Sequence, residues 1–350
     1  MHNRVDKLCE KLHDNEAVLI SGYPNIFYYS GFTSEDAYLL ISHDTRIIVT
    51  DSRYTIQAKE QAKGFDLIDI KDGFEKIFSK TNAKYIGYEE NVMSVREYKR
   101  LRTNLRANQD FVEMQNIINE QRKIKDAGEI KKIAEAEKIG DAAFSYVLKE
   151  IRAGKTEREI ALLIEFFMKK QGASALSFDT IAASGKRSAM PHGVATNKLI
   201  ENGDFLTLDF GCVFEGYCSD MTRTVVVGKA DERQKEIYNI VLRAQTEAIN
   251  EVREGVKCSA VDAIARDIIK NSGYGDNFGH GLGHSVGIEI HEAPSFAPKC
   301  SETVKNGYIM SVEPGIYIDG FGGVRIEDLI AVENGKALNL THSSKELIEL

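Results

Sequence analysis

Apolar residues in the first third of the chain fall in short runs. Residues 17–20 (AVLI), 38–41 (YLLI) and 46–50 (RIIVT) have the length and β-branched content of strands, and the polar segment SHDT turns between the last two. A further strand is predicted at 84–88 (KYIGY), with helical stretches near 53–63 and 94–107. Together these make an α/β domain with a mixed sheet. From Asn119 the period changes: Ile124, Ile130, Ile133, Ala136, Ala143, Val147 and Ile151 mark one face of a long helical segment, interrupted near Gly140. Thr156 and Glu159 have capping-box spacing and open a helix through IALLIEFFMKKQG to a glycine stop. Two more helices are predicted, one from Asp231 with Ile237, Val241, Ala244 and Ala248 on one face, the other from Ser259 through Ala265 and Ile268 to Gly273. Strands and helices alternate here, so the expected architecture is an α/β domain over 1–118 and an α+β domain over 119–350.

Two predicted hairpins in the second part each carry a pair of acids. Asp209 (LTLDFG) and Asp220 (CSDMTRT) face each other if the turn centres near Phe214 and Glu215, and Glu313 (SVEPG) faces Glu327 (VRIEDL) if the loop centres on Gly320 in DGFGG. Like charges directly opposite one another destabilise a sheet, and Asp209 lies in an apolar run where an unpaired charge is costly. Four converging carboxylates therefore call for a strong counter-charge, which two divalent cations would supply. The bland reading is four separate solvated strand residues.

Composition narrows the class. A chain of 350 residues with 43% hydrophobic content can fill two cores, and a net charge of -8 argues against a nucleic-acid surface. The N-terminus MHNRVDKLCEKLHDN has no apolar signal core, and no segment reaches the ~20 apolar residues of a membrane span, so a cytoplasmic enzyme is expected. The five cysteines form no CxxC pair and read as reduced structural thiols, including Cys212 and Cys218 beside the first turn.

Histidines add to the acids. His280, His284 and His291 lie in the glycine-rich loop FGHGLGHSVGIEIHE, spaced too irregularly for one helix face, and one of them could ligate metal. His192 stands in AMPHG after a turn-rich stretch, so it is expected on a loop. A lone histidine is more often structural; four on loops near an acidic cluster favour chemistry.

Asp209, Asp220, His284, Glu313 and Glu327, in the contexts DFG, SDMTRT, GHS, EPG and RIED, resemble the five metal ligands of the methionine aminopeptidase and Xaa-Pro peptidase superfamily. The resemblance runs from about residue 119 to the C-terminus and implies the duplicated "pita-bread" fold. The segment SGYPNIFYYSGF resembles the N-terminal domain of creatinases, prolidases and aminopeptidases P, which points to the Xaa-Pro branch. By this resemblance Asp220 and Glu327 would bridge two ions, His284 and Glu313 would complete one sphere, and Asp209 would chelate the other. A bridging water would ionise near neutral pH and attack the scissile carbonyl. Glu313 would take its proton, His192 and His291 would steady oxyanion and amide, and His280 and Arg325 would shape the proline side. Arg325 has an alternative as an ion pair that only orients Glu327 or Asp328, and Phe178 either lines an apolar subsite or packs in the core. Mostly hard donors suit Mn²⁺, with Co²⁺, Fe²⁺ or Zn²⁺ able to occupy such sites.

The leading expectation is a two-metal Xaa-Pro aminopeptidase acting on small peptides with proline second, as a homodimer, without nucleic-acid or membrane partners. The nearest alternative is a prolidase restricted to dipeptides. A third, of a different class, is a metal-free binding protein on the same fold.

Overall fold

The computed structural model describes residues 2–350. The chain divides into two compact units after Arg122. The boundary expected after residue 118 falls inside a short helix, Gln115–Asn119.

The first unit runs α1 (His2–Cys9), β1 (Glu16–Ile20), α2 (Tyr23–Ser30), β2 (Ala37–Ile41), β3 (Arg46–Thr50), α3 (Thr55–Gln61), β4 (Asp66–Asp69), α4 (Phe74–Phe78), β5 (Tyr85–Tyr88), α5 (Val95–Arg102), β6 (Asp110–Glu113) and α6 (Gln115–Asn119). Its six-stranded mixed sheet has the order β4-β3-β2-β1-β5-β6, antiparallel across β3-β2-β1 and parallel outward on both sides. The apolar runs supply its centre, with Leu19, Leu40, Val49 and Ile86 packed against Phe74, Ile77 and Phe78. α2 has no sequence counterpart above: its aromatic content favours strand, yet Pro24 in the first turn and Gly31 at φ 75° bound a helix. β4 and β6 were likewise not anticipated, because four-residue strands bounded by acids show too little alternation.

The second unit runs α7 (Ala127–Val147), α8 (Glu157–Lys170), β7 (Ala175–Leu176), β8 (Ile181–Ser184), β9 (Phe205–Phe210), β10 (Cys212–Phe214), β11 (Tyr217–Cys218), β12 (Met221–Val226), α9 (Glu232–Glu251), α10 (Cys258–Ile269), β13 (Gly283–Ser285), β14 (Glu292–Phe296), β15 (Ile309–Val312), β16 (Gly315–Ile318), β17 (Gly322–Arg325), β18 (Asp328–Glu333) and β19 (Lys336–Asn339). It has two similar halves. In one, α7 and α8 bury Phe144, Ile160 and Ile164 with Leu208, Phe210 and Met221 of the sheet β12-β9-β8. In the other, α9 and α10 bury Val241, Ala244 and Val261 with Met310 and Ile330 of the sheet β14-β13-β15-β18-β19. α7 continues through Gly140 instead of breaking there. A Cβ at Gly140 would stand 3.2 Å from Met221 Sδ, so the glycine serves close packing rather than termination. Full capping boxes at Asp126, Thr156 and Asp231 start α7, α8 and α9.

All five cysteines are free thiols. Cys212 and Cys218 are buried, each 3.5 Å from a carbonyl oxygen, and burial pushes their thiols up to about 11 and about 12. Among the described residues no helix is long and apolar enough to cross a membrane.

Candidate active site

The first acid pair is brought together differently from the simple hairpin expectation. Asp209 on β9 pairs across the ladder with Thr222, and Asp220 sits just before β12 begins. The cause is the turn: Phe214 pairs with Tyr217, so the two loop residues are Glu215 and Gly216, one step later than expected, at φ 46° and 83°. Between the ladders Gly211 comes so close to the opposite strand that a Cβ would stand 2.0 Å from Ser219 O. The second pair keeps the expected register. Val312 pairs with Asp328 and Gly315 with Arg325, which leaves Glu313 and Glu327 opposite each other where both ladders pause. Glu327 N donates to Thr222 O at 3.1 Å and Arg223 Nη1 to Glu327 O at 2.5 Å, which fixes the two hairpins side by side.

These acids line one cavity of about 760 Å³. His284, on β13, brings its Nε2 to 3.3 Å from Glu313 Oε1 and 3.5 Å from Asp220 Oδ2. Ligand atoms of Asp220, His284 and Glu327 all lie within 4.8 Å of one another. Burial, then the charge of Glu327, raises the Asp220 carboxyl well above the usual range. Burial also raises Glu327, followed by the charges of Glu313 and Asp209. Burial pushes Glu313 up as well, but the His284 hydrogen bond and charge outweigh it and its carboxyl ends below the usual range. Two buried oxygens, Asp209 Oδ1 and Glu327 Oε1, have no hydrogen-bond partner among the described residues. Buried carboxylates crowded in this way, with lone pairs left over, fit divalent cations held by hard oxygen donors and one imidazole.

The same cavity is lined by His192, His280, His291, Phe178 and Arg325, so every residue singled out from the sequence reaches it. His192 and His291 are exposed at its mouth. The rings of His284 and His291 stand edge to face, 4.4 Å apart at their centroids. Arg325 does not pair with Glu327 or Asp328. Its Nη2 donates to Asp209 Oδ2 at 2.5 Å, its Nε to Thr222 Oγ1 at 3.1 Å and its Nη1 to Tyr317 Oη at 2.8 Å. Asp328 is held instead by Arg223 at 2.8 Å and Lys345 at 2.7 Å, as expected for adjacent strand residues that point to opposite faces. Phe178 lines the cavity and is half-buried, so core packing alone does not describe it.

Three contributors were missed by sequence reasoning. Tyr317 links Arg325 to His280, whose Nε2 lies 2.9 Å from Tyr317 Oη. Strand alternation from Glu313 through Gly315 would have found it. Thr222 donates to Glu327 Oε2 at 2.7 Å and had its signal in SDMTRT, two residues past Asp220. Glu137 had none, because it lies on a helix far away in sequence. It is fully buried on α7, where its Oε2 accepts from Asp220 N at 3.2 Å and its Oε1 from Thr341 Oγ1 at 2.7 Å.

A helix-backed cavity with four acids and one imidazole at its floor defines a metal-dependent hydrolase site. Residues 131–334 match metallopeptidase family M24 and residues 3–124 match the creatinase/prolidase N-terminal domain. The chain belongs to family M24 and has its pita-bread catalytic fold behind a creatinase-type first domain; it is a metallopeptidase, of a family that works through divalent metal ions. It is similar to a solved structure described as an Xaa-Pro dipeptidase from Bacillus anthracis, at 41% identity and TM-score 0.96, covering 100% of this chain and 99% of that one. It is 39% identical to an Xaa-Pro dipeptidase of Pyrococcus horikoshii over 99% of both chains. A solved X-Pro aminopeptidase from Thermotoga maritima is 37% identical, with TM-score 0.92 over 99% of this chain and 100% of that one.

Proposed function

We propose that the chain is an Xaa-Pro dipeptidase that holds two divalent ions on Asp209, Asp220, His284, Glu313 and Glu327. The observation that carries this reading is the convergence of four buried carboxylates and one imidazole on a single cavity, with Asp209 Oδ1 and Glu327 Oε1 left unpartnered among the described residues. Sequence alone favours an aminopeptidase, but relatives that cover nearly the whole chain at 39% and 41% identity bear the dipeptidase description. The similarity to the Thermotoga maritima X-Pro aminopeptidase keeps that activity as the second reading. A creatinase-like domain, expected over 1–118, and a catalytic domain, expected over 119–350, meet near Arg122, and the second contains every residue of the proposed site.

Asp209, Asp220, His284, Glu313 and Glu327 would together hold the two ions; Mn²⁺ suits this donor set, and Co²⁺, Fe²⁺ or Zn²⁺ would be accommodated by it. When bound, the ions supply Lewis-acid polarisation of the scissile carbonyl and a nucleophile at neutral pH. The chain's own groups do the rest. Glu313, on the cavity floor beside His284, can as a carboxylate take a proton from the attacking water. His192 and His291, exposed in the cavity lining, would donate to the substrate's carbonyl oxygen and steady its scissile amide as charge develops. Asp209, Arg325, Tyr317 and His280 form one continuous hydrogen-bonded wall. A prolyl bond has no amide N–H to offer a strand edge, so its ring must be recognised by shape, and Phe178 provides an apolar surface for it.

The test is kcat/KM on Ala-Pro and Ala-Pro-Ala with added Mn²⁺. Preference for Ala-Pro is expected. Equal or better cleavage of Ala-Pro-Ala returns the enzyme to the aminopeptidase reading, and no cleavage of either by protein carrying two ions rejects both.

A further inference from the structure

Lys125 and Glu292 form an ion pair beside the cavity to which the chemistry above gives no part. Nζ and Oε2 are 3.2 Å apart, and the two side chains keep 1% and 6% of their surface. Burying two charges is costly, and such a pair is weak evidence for stability, so what it holds in place matters more. Glu292 Oε1 accepts the backbone N–H of Ile288 at 3.0 Å and of Glu289 at 3.2 Å. The carboxylate presses so close to the loop that a Cβ at Gly287 would stand 2.6 Å from its oxygens. Lys125 Nζ also donates to Ser285 Oγ at 2.7 Å, on the residue that follows His284. Its own backbone N–H is tied to Gly307 O at 2.8 Å, while Cys218 N pins Gly287 O at 2.8 Å from the other side. Between these anchors the chain turns through Ile288 and Glu289 and delivers His291 against the ring of His284.

We propose that the Lys125–Glu292 pair is a positioning device for His291, setting the loop Val286–His291 so that this imidazole meets the substrate over the cavity floor. The loop's shape is dictated by Glu292 accepting two consecutive N–H groups, and the Lys125 ammonium beside the carboxylate fixes its orientation. Replacing Lys125 removes the ammonium 3.2 Å from the Glu292 carboxylate and the tie to Ser285; the hold of Glu292 on Ile288 and Glu289 then loosens, and His291 loses its fixed place. The kinetic part of this inference rests on the peptidase reading above; the structural part does not.

The experiment compares wild type, Lys125→Met, Glu292→Gln, His291→Ala and Lys125→Met/His291→Ala, each loaded with Mn²⁺. Amide hydrogen exchange at Ile288 and Glu289 should accelerate at least ~10-fold in Lys125→Met, a local opening that the wild-type anchors suppress. On Ala-Pro, kcat should fall ~10–100-fold, the usual cost of removing an outer partner of a site, with KM within about twofold and metal content unchanged. Because the pair acts through His291, adding Lys125→Met to His291→Ala should cost little more. A purely structural role predicts the reverse: fully additive losses, or a lower melting temperature with wild-type kcat. Either result overturns the proposal, as does unchanged exchange at the two amides. Should Lys125→Met fail to fold, the isosteric Glu292→Gln carries the same comparisons. If the wild-type enzyme leaves Ala-Pro intact, the peptidase reading falls, and the exchange measurement alone decides for or against the positioning role.

Discussion

Burial raises the carboxyls of both Asp220 and Glu327, with the charge of Glu327 adding at Asp220 and the charges of Glu313 and Asp209 adding at Glu327, so both are pushed toward the protonated form without a cation. Asp220→Asn and Glu327→Gln are therefore expected to fold but to lose bound metal and activity together; an elemental assay that finds two ions with near wild-type turnover would remove these two acids from the ligand set. Glu137 behind them gives a pH test. Burial raises its carboxyl to about 8 from an ordinary 4.5, so between those values the folded state holds a proton that the unfolded chain has released. Stability of metal-free protein should then decline as pH rises across that window, in the same sense as the raised Asp220 and Glu327. Glu137→Gln, which cannot ionise, should decline less; parallel curves in urea titrations at several pH values would refute this. The acids and histidines were legible in the sequence because charged and titratable residues in apolar or glycine-rich runs stand out. Glu137, Tyr317 and Lys125 were not, because their significance lies in partners such as Thr341, His280 and Ser285, which only the tertiary fold supplies.

Local elements were readable where backbone chemistry is local. At the start of α8, Thr156 Oγ1 accepts from Glu159 N at 3.1 Å and Glu159 Oε2 accepts from Thr156 N at 2.7 Å. Thr156→Ala should cost ~1 kcal/mol in denaturant unfolding while leaving kinetics unchanged, since the cap lies outside the cavity lining. The first hairpin's register was missed because it depends on which two residues take positive φ, and Glu215 is an unusual choice for that role. In the second hairpin the glycine-rich loop left one option. Gly315 at its base allows Tyr317 to fold back, for a Cβ there would stand 2.5 Å from Tyr317 Oη. Gly315→Ala should displace the phenol from Arg325 and His280, lowering kcat/KM on Ala-Pro with only a small change in melting temperature. Wild-type kinetics in that variant would show that the tyrosine has no part in the wall.

At the scale of the whole molecule, the change from short strand runs to helical periods near Asn119 announced two units, because each must bury its own core. The substrate's permitted length was not legible, since it depends on the shape of the open end rather than on any motif. Metal binding offers a test on the same scale. The carboxylates and imidazole that would hold the ions are spread from Asp209 to Glu327 and come from five separate strand regions, so the unfolded chain cannot assemble them. Ions that bind only the folded state stabilise it by about 2.7 kcal/mol per independent site when free metal is 100 times Kd. For a unit of this size that corresponds to a rise of several degrees in melting temperature. Adding Mn²⁺ to chelator-treated protein should raise the transition, and a competing chelator should reverse it. If two transitions are resolved, the one belonging to residues 123–350 should move and the other should not. Asp220→Asn should abolish most of the rise even though its metal-free form, relieved of a buried acid, melts no lower than the wild type. A wild-type melting curve indifferent to Mn²⁺ at concentrations that restore activity would mean that the ions bind too weakly to be resident, and the assignment of five ligands to two ions would have to be abandoned.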